Sequence, residues 1–111
     1  MNADRPWETH YRITDTTVVM QTDDVRVLEM TLAPGEEVPW HWHSEVDDMF
    51  YCRTGAATIE TRAPRNRVVV AAGEKFVVPV RTAHRVHNAG TEPCHVLVIQ
   101  GIGAYDFQPT G

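Results

Sequence analysis

The chain is 111 residues long, with 42% hydrophobic residues, 23% charged residues and a formal net charge of −5 at pH 7. This length fits a single domain over residues 1–111, and the composition is that of a globular protein rather than a disordered one. The acidic balance argues against a nucleic-acid partner, because such surfaces cluster Lys and Arg to replace the counterions of the phosphates.

The predicted elements are β-strands, because the apolar residues recur with a period of two rather than with the helical period. The segment RPWETHYR (5–12) fits either a helical turn or an added edge strand. The strands that follow are TTVVM (16–20), VRVLEMTL (25–32), MFYC (49–52), AATIET (56–61), RVVVAA (67–72), KFVVPV (75–80), HRVH (84–87) and HVLVIQ (95–100). Short strands at close spacing, with no helical pattern between them, predict an all-β sandwich or barrel.

Two histidines stand one residue apart in PGEEVPWHWHSEVDD, residues 34–48, and the pair Asp47 and Asp48 follows within five residues. On a strand, residues i and i+2 point to the same side, so His41 and His43 project together while Trp40 and Trp42 project to the other side. A single histidine is more often a hydrogen-bonded core residue, but a pair followed by a carboxylate favours a metal site. Imidazole and carboxylate together suit a divalent ion.

A third imidazole is expected from GEKFVVPVRTAHRVHN, residues 73–88. His84 and His87 lie three apart and therefore face opposite sides of a strand, so at most one of them shares a site with the first pair. The spacing alone does not choose between them.

In these two segments the chain resembles the cupin superfamily. The first cupin motif, G-x5-H-x-H-x(3,4)-E-x6-G, matches residues 35–55 at Gly35, His41, His43, Asp48 and Gly55. The second, G-x5-P-x-G-x2-H-x3-N, matches residues 73–88 at Gly73, Pro79, His84 and Asn88. The resemblance implies an antiparallel jelly roll, also called a double-stranded β-helix, and one divalent metal ion (Fe, Zn, Mn or Ni). The ligands that it implies are His41, His43, Asp48 and His84, which selects His84 over His87.

The chain departs from the cupin pattern at two positions. Asp48 stands where the family has Glu, and its shorter side chain leaves open a three-histidine site with a distant or water-linked Asp48. Asp47 is the neighbouring candidate, although Gly55 then falls one residue out of register. Arg81 replaces the second glycine of the second motif, which predicts a different turn or modest backbone strain. The planar guanidinium of Arg81 is also a candidate contact for a substrate anion.

Counting by two from the ligands along each strand predicts which side chains line the pocket. The positions obtained are Phe50, Cys52, Phe76 and Val86. In KFVVPV the phase is open, so the intervening residues are alternatives to Phe76 and Val78. Cys52 is interpreted as a small apolar filler rather than a reactive thiol, and a disulfide with Cys94 stays open.

The segment after Gly101 contains too much glycine for a strand interior and is interpreted as a tail packed by Tyr105 and Phe107. This tail is expected to close over the barrel mouth or over a dimer partner. Gln100, at its start, is a candidate for the cavity, although its phase is open.

The aromatic residues Trp40, Trp42 and Tyr51 are predicted to point outward and to form one exposed patch, which usually marks an interface. Cupins commonly dimerise, so the resemblance implies a homodimer that buries part of this patch. The N-terminus lacks the apolar core of a signal peptide, and no apolar run approaches the roughly 20 residues of a membrane span. Two cysteines are too few for a disulfide framework, so a cytoplasmic protein without membrane contact is expected.

The predicted function is a metal-dependent reaction of a small oxygen-bearing molecule. Three histidines with a weak carboxylate leave coordination positions for substrate, water or O₂, whereas a structural metal is usually closed. A dioxygenase-type reaction is the first expectation, and a lyase, isomerase or hydrolase reaction with Asp48 as candidate catalytic base is the second. The alternative is a non-enzymatic cupin that binds or senses a small ligand, because one barrel supports many functions.

Overall fold

The computed structural model describes residues 11–111, so most of the segment 5–12 lies outside the described residues. The strands are β1 (Asp15–Gln21), β2 (Val25–Leu32), β3 (Glu37–Trp42), β4 (Asp47–Thr54), β5 (Ala56–Arg62), β6 (Arg65–Ala71), β7 (Lys75–Val78), β8 (His84–His87), β9 (Cys94–Gly101) and β10 (Gln108–Pro109). They form two five-stranded antiparallel sheets, ordered β1-β2-β9-β4-β7 and β10-β3-β8-β5-β6. The predicted all-β antiparallel jelly roll is confirmed. Within residues 11–111 no helix is long and apolar enough to cross a membrane.

The strand bounds follow the apolar alternation most closely where turn residues stand at both ends. Strands β2 and β8 coincide with the predicted residues 25–32 and 84–87. Strand β7 ends at Val78 rather than at residue 80, because Pro79 has no N–H to donate to a neighbouring strand. The two-residue strand β10 is not predicted, since two residues show no period.

The hydrophobic core lies between the two sheets. Its members on β2 and β9 are Leu28, Met30, Leu32, Val96 and Val98, each no more than 5% exposed. The facing sheet contributes Ile59 from β5 and Val86 from β8, which are also buried. Burying an aliphatic side chain of this size stabilises the fold by about 1.5–3 kcal/mol, so the alternation seen in the sequence is also the main source of stability.

Three polar side chains interrupt this core at one end of the first sheet. Arg26 on β2 pairs with Gln100 on β9, and Gln100 pairs in turn with Asp48 on β4. Directly opposite residues on antiparallel strands point to the same face of the sheet. The three residues therefore form a row across neighbouring strands, and this row marks the end of the sandwich where chemistry is expected.

The outward aromatic residues do not form the single patch predicted from the sequence. Trp40 and Trp42 lie on β3 and are half-buried, with the guanidinium carbon of Arg62 4.1 Å from the Trp40 ring centre. Tyr51, at 41% exposed, lies on β4, which belongs to the other sheet. Counting by two gives the side of a strand, but it does not tell which sheet the strand joins.

Both cysteines are buried and free, so the disulfide that the sequence left open is not formed. Burial raises the pKa of the Cys52 thiol above its ordinary value, and burial together with the neighbouring Cys52 raises the pKa of Cys94 to about 11. Because the thiolate is the reactive form of cysteine, these shifts agree with the interpretation of Cys52 as a filler.

Gly55 joins β4 to β5 with a φ of +73°, and a Cβ there would lie 2.6 Å from the carbonyl oxygen of Pro93. Gly55→Ala is expected to lower the free energy of unfolding by about 3 kcal/mol or more, because left-handed strain adds to a clash with backbone. Gly73→Ala is the matched control: φ is +87° but the space around a Cβ is open, so the loss should be only about 1–2 kcal/mol. Urea unfolding curves measure the free energy of unfolding of both variants. Equal losses in Gly55→Ala and Gly73→Ala would contradict a clash at residue 55.

Candidate metal centre

Four buried side chains come together at the end of the sandwich marked by the polar row. They are His41, His43, Asp48 and His84, with 3%, 3%, 2% and 1% of their surface exposed. Each offers one ligand atom, and these atoms all lie within 4.8 Å of one another. Donor atoms so close together are able to share a single ion.

Both sheets contribute to this cluster. His41 on β3 lies directly opposite His84 on β8, just after a shift in the register of the two strands. Such irregularities re-aim side chains and are frequent beside functional sites. Asp48 comes from β4 in the facing sheet, and His43 follows the end of β3. The cluster therefore connects the two sheets across the core.

Each of the three histidines is oriented by a backbone carbonyl group. Nδ1 of His41 and Nδ1 of His84 lie 2.7 and 2.8 Å from the carbonyl oxygen two residues earlier in the chain. Nδ1 of His43 lies 2.5 Å from the carbonyl oxygen of Asp106. A carbonyl oxygen only accepts, so each Nδ1 donates its hydrogen and Nε2 is left for the centre. Metal-binding histidines are usually held in this way.

The Asp48 carboxylate faces two of the Nε2 atoms. Oδ2 of Asp48 is 2.8 Å from Nε2 of His43 and 2.9 Å from Nε2 of His84. Burial alone would raise the pKa of Asp48, but the hydrogen bonds from both histidines outweigh it and hold that pKa below its ordinary value. Burial also opposes a charge on His43, yet the contact with Asp48 raises the pKa of His43. Asp48 is therefore an anion inside the core.

His41 differs from His43 in the direction of its pKa shift. Burial and the neighbouring His84 lower the pKa of His41 to about 3, because both disfavour a positive charge on the His41 ring. His41 is consequently a neutral imidazole at physiological pH. With Nδ1 donating to a carbonyl group, its Nε2 carries a lone pair, which is the form that binds a metal.

The second oxygen of Asp48, Oδ1, is buried and has no hydrogen-bond partner within the described part of the chain. An unsatisfied buried acceptor costs about 1–3 kcal/mol, and more when it is charged, so a cation beside Oδ1 would remove a real penalty. Three imidazoles and one carboxylate suit a divalent transition metal. Asp47 does not compete, since it is exposed and its Oδ1 accepts from the Val80 N–H at 2.9 Å.

A cavity of about 20 Å³, large enough to admit water, adjoins the cluster. The predicted Phe50 and Val86 line it. Cys52 and Phe76 are not among the described residues that line it. Cys52 lies further along β4, away from the polar row, and Phe76 pairs with Phe50 but sits on the edge strand β7, where it is half-buried.

The C-terminal segment, residues 103–111, covers the barrel mouth. Phe107 stacks on His41 with ring centroids 4.3 Å apart and planes 13° from parallel, and the Tyr105 ring centroid lies 5.4 Å from that of His43. Asp106 lies between them, and its Oδ1 accepts from the Ser44 N–H at 2.8 Å. Of the two placements expected for this tail, the structure shows closure over the mouth.

Among the cavity-lining residues that were not predicted from the sequence, two carry polar groups, Tyr11 and Arg26. The sequence does contain a sign that Arg26 points inward. Arg26 lies two residues before Leu28 and four before Met30 on β2, and both of those residues face the core. An arginine on the apolar side of an alternating strand is unusual. Gln100, whose phase was open, is buried and also lines the cavity.

Arg81 has the strained backbone expected where the motif has glycine, with a φ of 55°. Its N–H donates to the carbonyl oxygen of His43 at 2.8 Å, so the turn holds the chain beside a candidate ligand. The side chain of Arg81 is exposed and is not among the described residues that line the cavity. The predicted contact with a substrate anion therefore has no support from this geometry.

A family model described as the Cupin domain matches residues 28–100 of the chain, a range that includes both motifs. Auxin-binding protein 1 from Arabidopsis thaliana is 31% identical over an alignment of 105 residues that covers 88% of this chain and 52% of that protein. The chain thus spans about half the length of this relative, at 52%.

Solved structures show the same architecture. A protein from Thermus thermophilus has a TM-score of 0.74 at 20% identity, with 86% of this chain and 93% of that chain covered. A recombinant oxalate oxidase in complex with glycolate has a TM-score of 0.73 at 21% identity, with 84% of this chain and 53% of that chain covered. Likeness at such identities shows the fold alone.

Proposed function

This chain belongs to the cupin family, and from that premise we propose that it binds one divalent metal ion and catalyses a reaction of a small oxygen-bearing molecule. The proposed ligands are His41, His43, Asp48 and His84. The observation that carries the proposal is the orientation of the three histidines, whose Nδ1 atoms are all tied to backbone carbonyl groups. Two of the Nε2 atoms face Oδ2 of Asp48, and the other oxygen, Oδ1, is buried with no hydrogen-bond partner among the described residues. A cluster that only filled the core would not need such an arrangement.

The chemistry follows from the donor set. When bound, the ion supplies Lewis-acid or redox chemistry at coordination positions that four protein donors do not fill. Phe50, Tyr105 and Phe107 surround the centre with apolar surface and limit the entry of water, which strengthens electrostatic interactions inside the cavity. A dioxygenase-type reaction with iron is the first candidate, because imidazole donors and unfilled positions suit O₂ and substrate together.

A lyase or isomerase reaction with Zn, Mn or Ni is the second candidate. Its candidate base is Asp48, whose Oδ1 has no hydrogen-bond partner among the described residues. In a site where the three histidines alone hold the ion, Oδ1 would be left to accept a proton from a substrate. Non-enzymatic ligand binding is the alternative, favoured by the likeness to Auxin-binding protein 1, whose name states binding. The homodimer and the cytoplasmic location stay predictions.

The first test is elemental analysis of the full chain purified without added metal and without a histidine tag. The expected result is close to one transition-metal ion per chain. With iron bound, O₂ consumption should then appear with a substrate drawn from catechols, β-diketones and thiols, and should vanish after chelation. Binding of a small molecule with no turnover would favour the sensor. A chain that holds no metal and refuses added metal would contradict the proposal.

A further inference from the structure

Arg26 is the only arginine within residues 11–111 that lines the cavity beside the proposed ligands. It projects from the inner face of β2 and is half-buried. Taking a guanidinium out of water costs free energy unless its hydrogen bonds are replaced or a negative charge lies near it. The groups around Arg26 therefore indicate what it is there to bind.

Those groups are neutral. Nη1 of Arg26 donates to Oε1 of Gln100 at 2.9 Å, and Cζ lies 4.2 Å from the centre of the Tyr105 ring. No carboxylate of residues 11–111 forms an ion pair with Arg26, whereas Arg53 and Arg85 pair with glutamates at 3.0 and 2.9 Å. A guanidinium presents several N–H donors in a rigid fork, so Arg26 has donors left for an anion.

The distance from Arg26 to the proposed ligands suits one small molecule. Arg26, Gln100 and Asp48 are consecutive partners on three adjacent strands. Adjacent strands lie ~4.8 Å apart, which puts the backbones of Arg26 and Asp48 roughly 10 Å from each other. Both side chains project into the same cavity. A molecule of a few carbon atoms would reach from the guanidinium to an ion held by Asp48.

The charges at this end of the barrel favour an anion over a neutral molecule. Asp48 is the only carboxylate among the proposed ligands, so a divalent ion stays net positive after binding, and Arg26 adds a further positive charge in the same low-dielectric cavity. We propose that the site accepts a small carboxylate, which Arg26 binds through its planar fork while Gln100 and Tyr105 hold the guanidinium in place. This inference rests on the proposed function, because the ion supplies the second attraction.

Isothermal titration calorimetry on the metal-loaded full chain tests the proposal, with glycolate as the probe and glycolamide as its neutral analogue. Arg26→Gln is expected to weaken glycolate binding at least about tenfold, the loss of one charge-assisted hydrogen bond, and to leave glycolamide binding unchanged. Arg26→Lys keeps the charge but not the fork, so its affinity should be intermediate. Arg81→Gln is the matched control, since it removes the same charge from the surface and should leave glycolate binding unchanged.

Three results would overturn the inference: no glycolate binding by the metal-loaded chain, equal affinities in the original chain and both Arg26 variants, or an equal loss in Arg81→Gln. If circular dichroism shows that Arg26→Gln does not fold, the Arg26→Lys variant tests the proposal instead, by the same comparison of its glycolate affinity with its glycolamide affinity. Metal content is measured on every sample. If the original chain holds no metal, the proposed metal centre is refuted. If the metal-loaded chain binds glycolate equally well with and without Arg26, only the proposed carboxylate site is refuted.

Discussion

Replacing His84 with alanine is expected to abolish metal retention, with an affinity at least about 100-fold lower than that of the original chain. His84 is among the most deeply buried residues of the cluster, and its Nε2 lies 2.9 Å from Asp48 Oδ2. Alanine has no donor atom to replace this nitrogen. His41→Ala should behave in the same way. Asp48→Asn keeps an oxygen donor but loses the negative charge, so it should weaken retention less.

Competition with a chromophoric chelator measures these affinities, and His87→Ala provides the matched control. His87 lies on the same strand β8 but faces the other side, where its Nε2 is 2.9 Å from Glu60 Oε2. His87→Ala should therefore keep its metal. Equal metal affinity in the His84 and His87 variants would show that the ion, if one is bound, lies elsewhere.

Saturation of the centre with metal is expected to raise the unfolding temperature by roughly 15 °C or more. A ligand that binds only the folded state at about 1,000 times its dissociation constant stabilises by about 4 kcal/mol. For a domain of this size, 1 kcal/mol corresponds to about 4 °C or more. The effect should be large because the ligands come from both sheets, so an ion holds the two halves of the sandwich together.

Differential scanning calorimetry with and without chelator measures this shift. His84→Ala should show no shift with added metal, while Gly73→Ala, which lies away from the centre, should show the full one. A similar shift in the His84 variant would point to metal binding at surface carboxylates instead. No shift in the original chain would mean that the cluster does not bind the ion strongly enough to stabilise the fold.

The fold was predictable because its information is local. The strand VRVLEMTL alternates so regularly that β2 has the predicted ends, and its inner residues Leu28 and Met30 form part of the core. The metal-binding candidates were predictable for a related reason: His41 and His43 share one side of a short segment, and the motif spacing supplied Asp48 and His84. The structure brings these four side chains into one buried cluster.

What the sequence did not predict depends on which strands become neighbours. Arg26 reaches the cavity because β2 and β9 lie beside β4, and the same arrangement places Gln100, which the sequence named as a candidate with its phase open. Nothing in the order of the chain states that arrangement. The same limit explains Phe76, which pairs with Phe50 but lies on an edge strand. It also explains Tyr51, whose strand is in the other sheet from Trp40. The period of two shows which side chains share a face of a strand. Which residues pack against that face depends on how the strands pair in the folded protein.

The cover over the barrel mouth sets a time order on the maturation of this protein. Tyr105, Asp106 and Phe107 follow every proposed ligand in the chain, yet the carbonyl of Asp106 fixes the ring of His43 and Phe107 packs on His41. During synthesis the ligand strands leave the ribosome before the residues that orient two of their imidazoles. The complete proposed centre therefore forms only after residue 107 has been translated, and a chain truncated before Tyr105 would lack both the carbonyl that orients His43 and the ring that packs on His41.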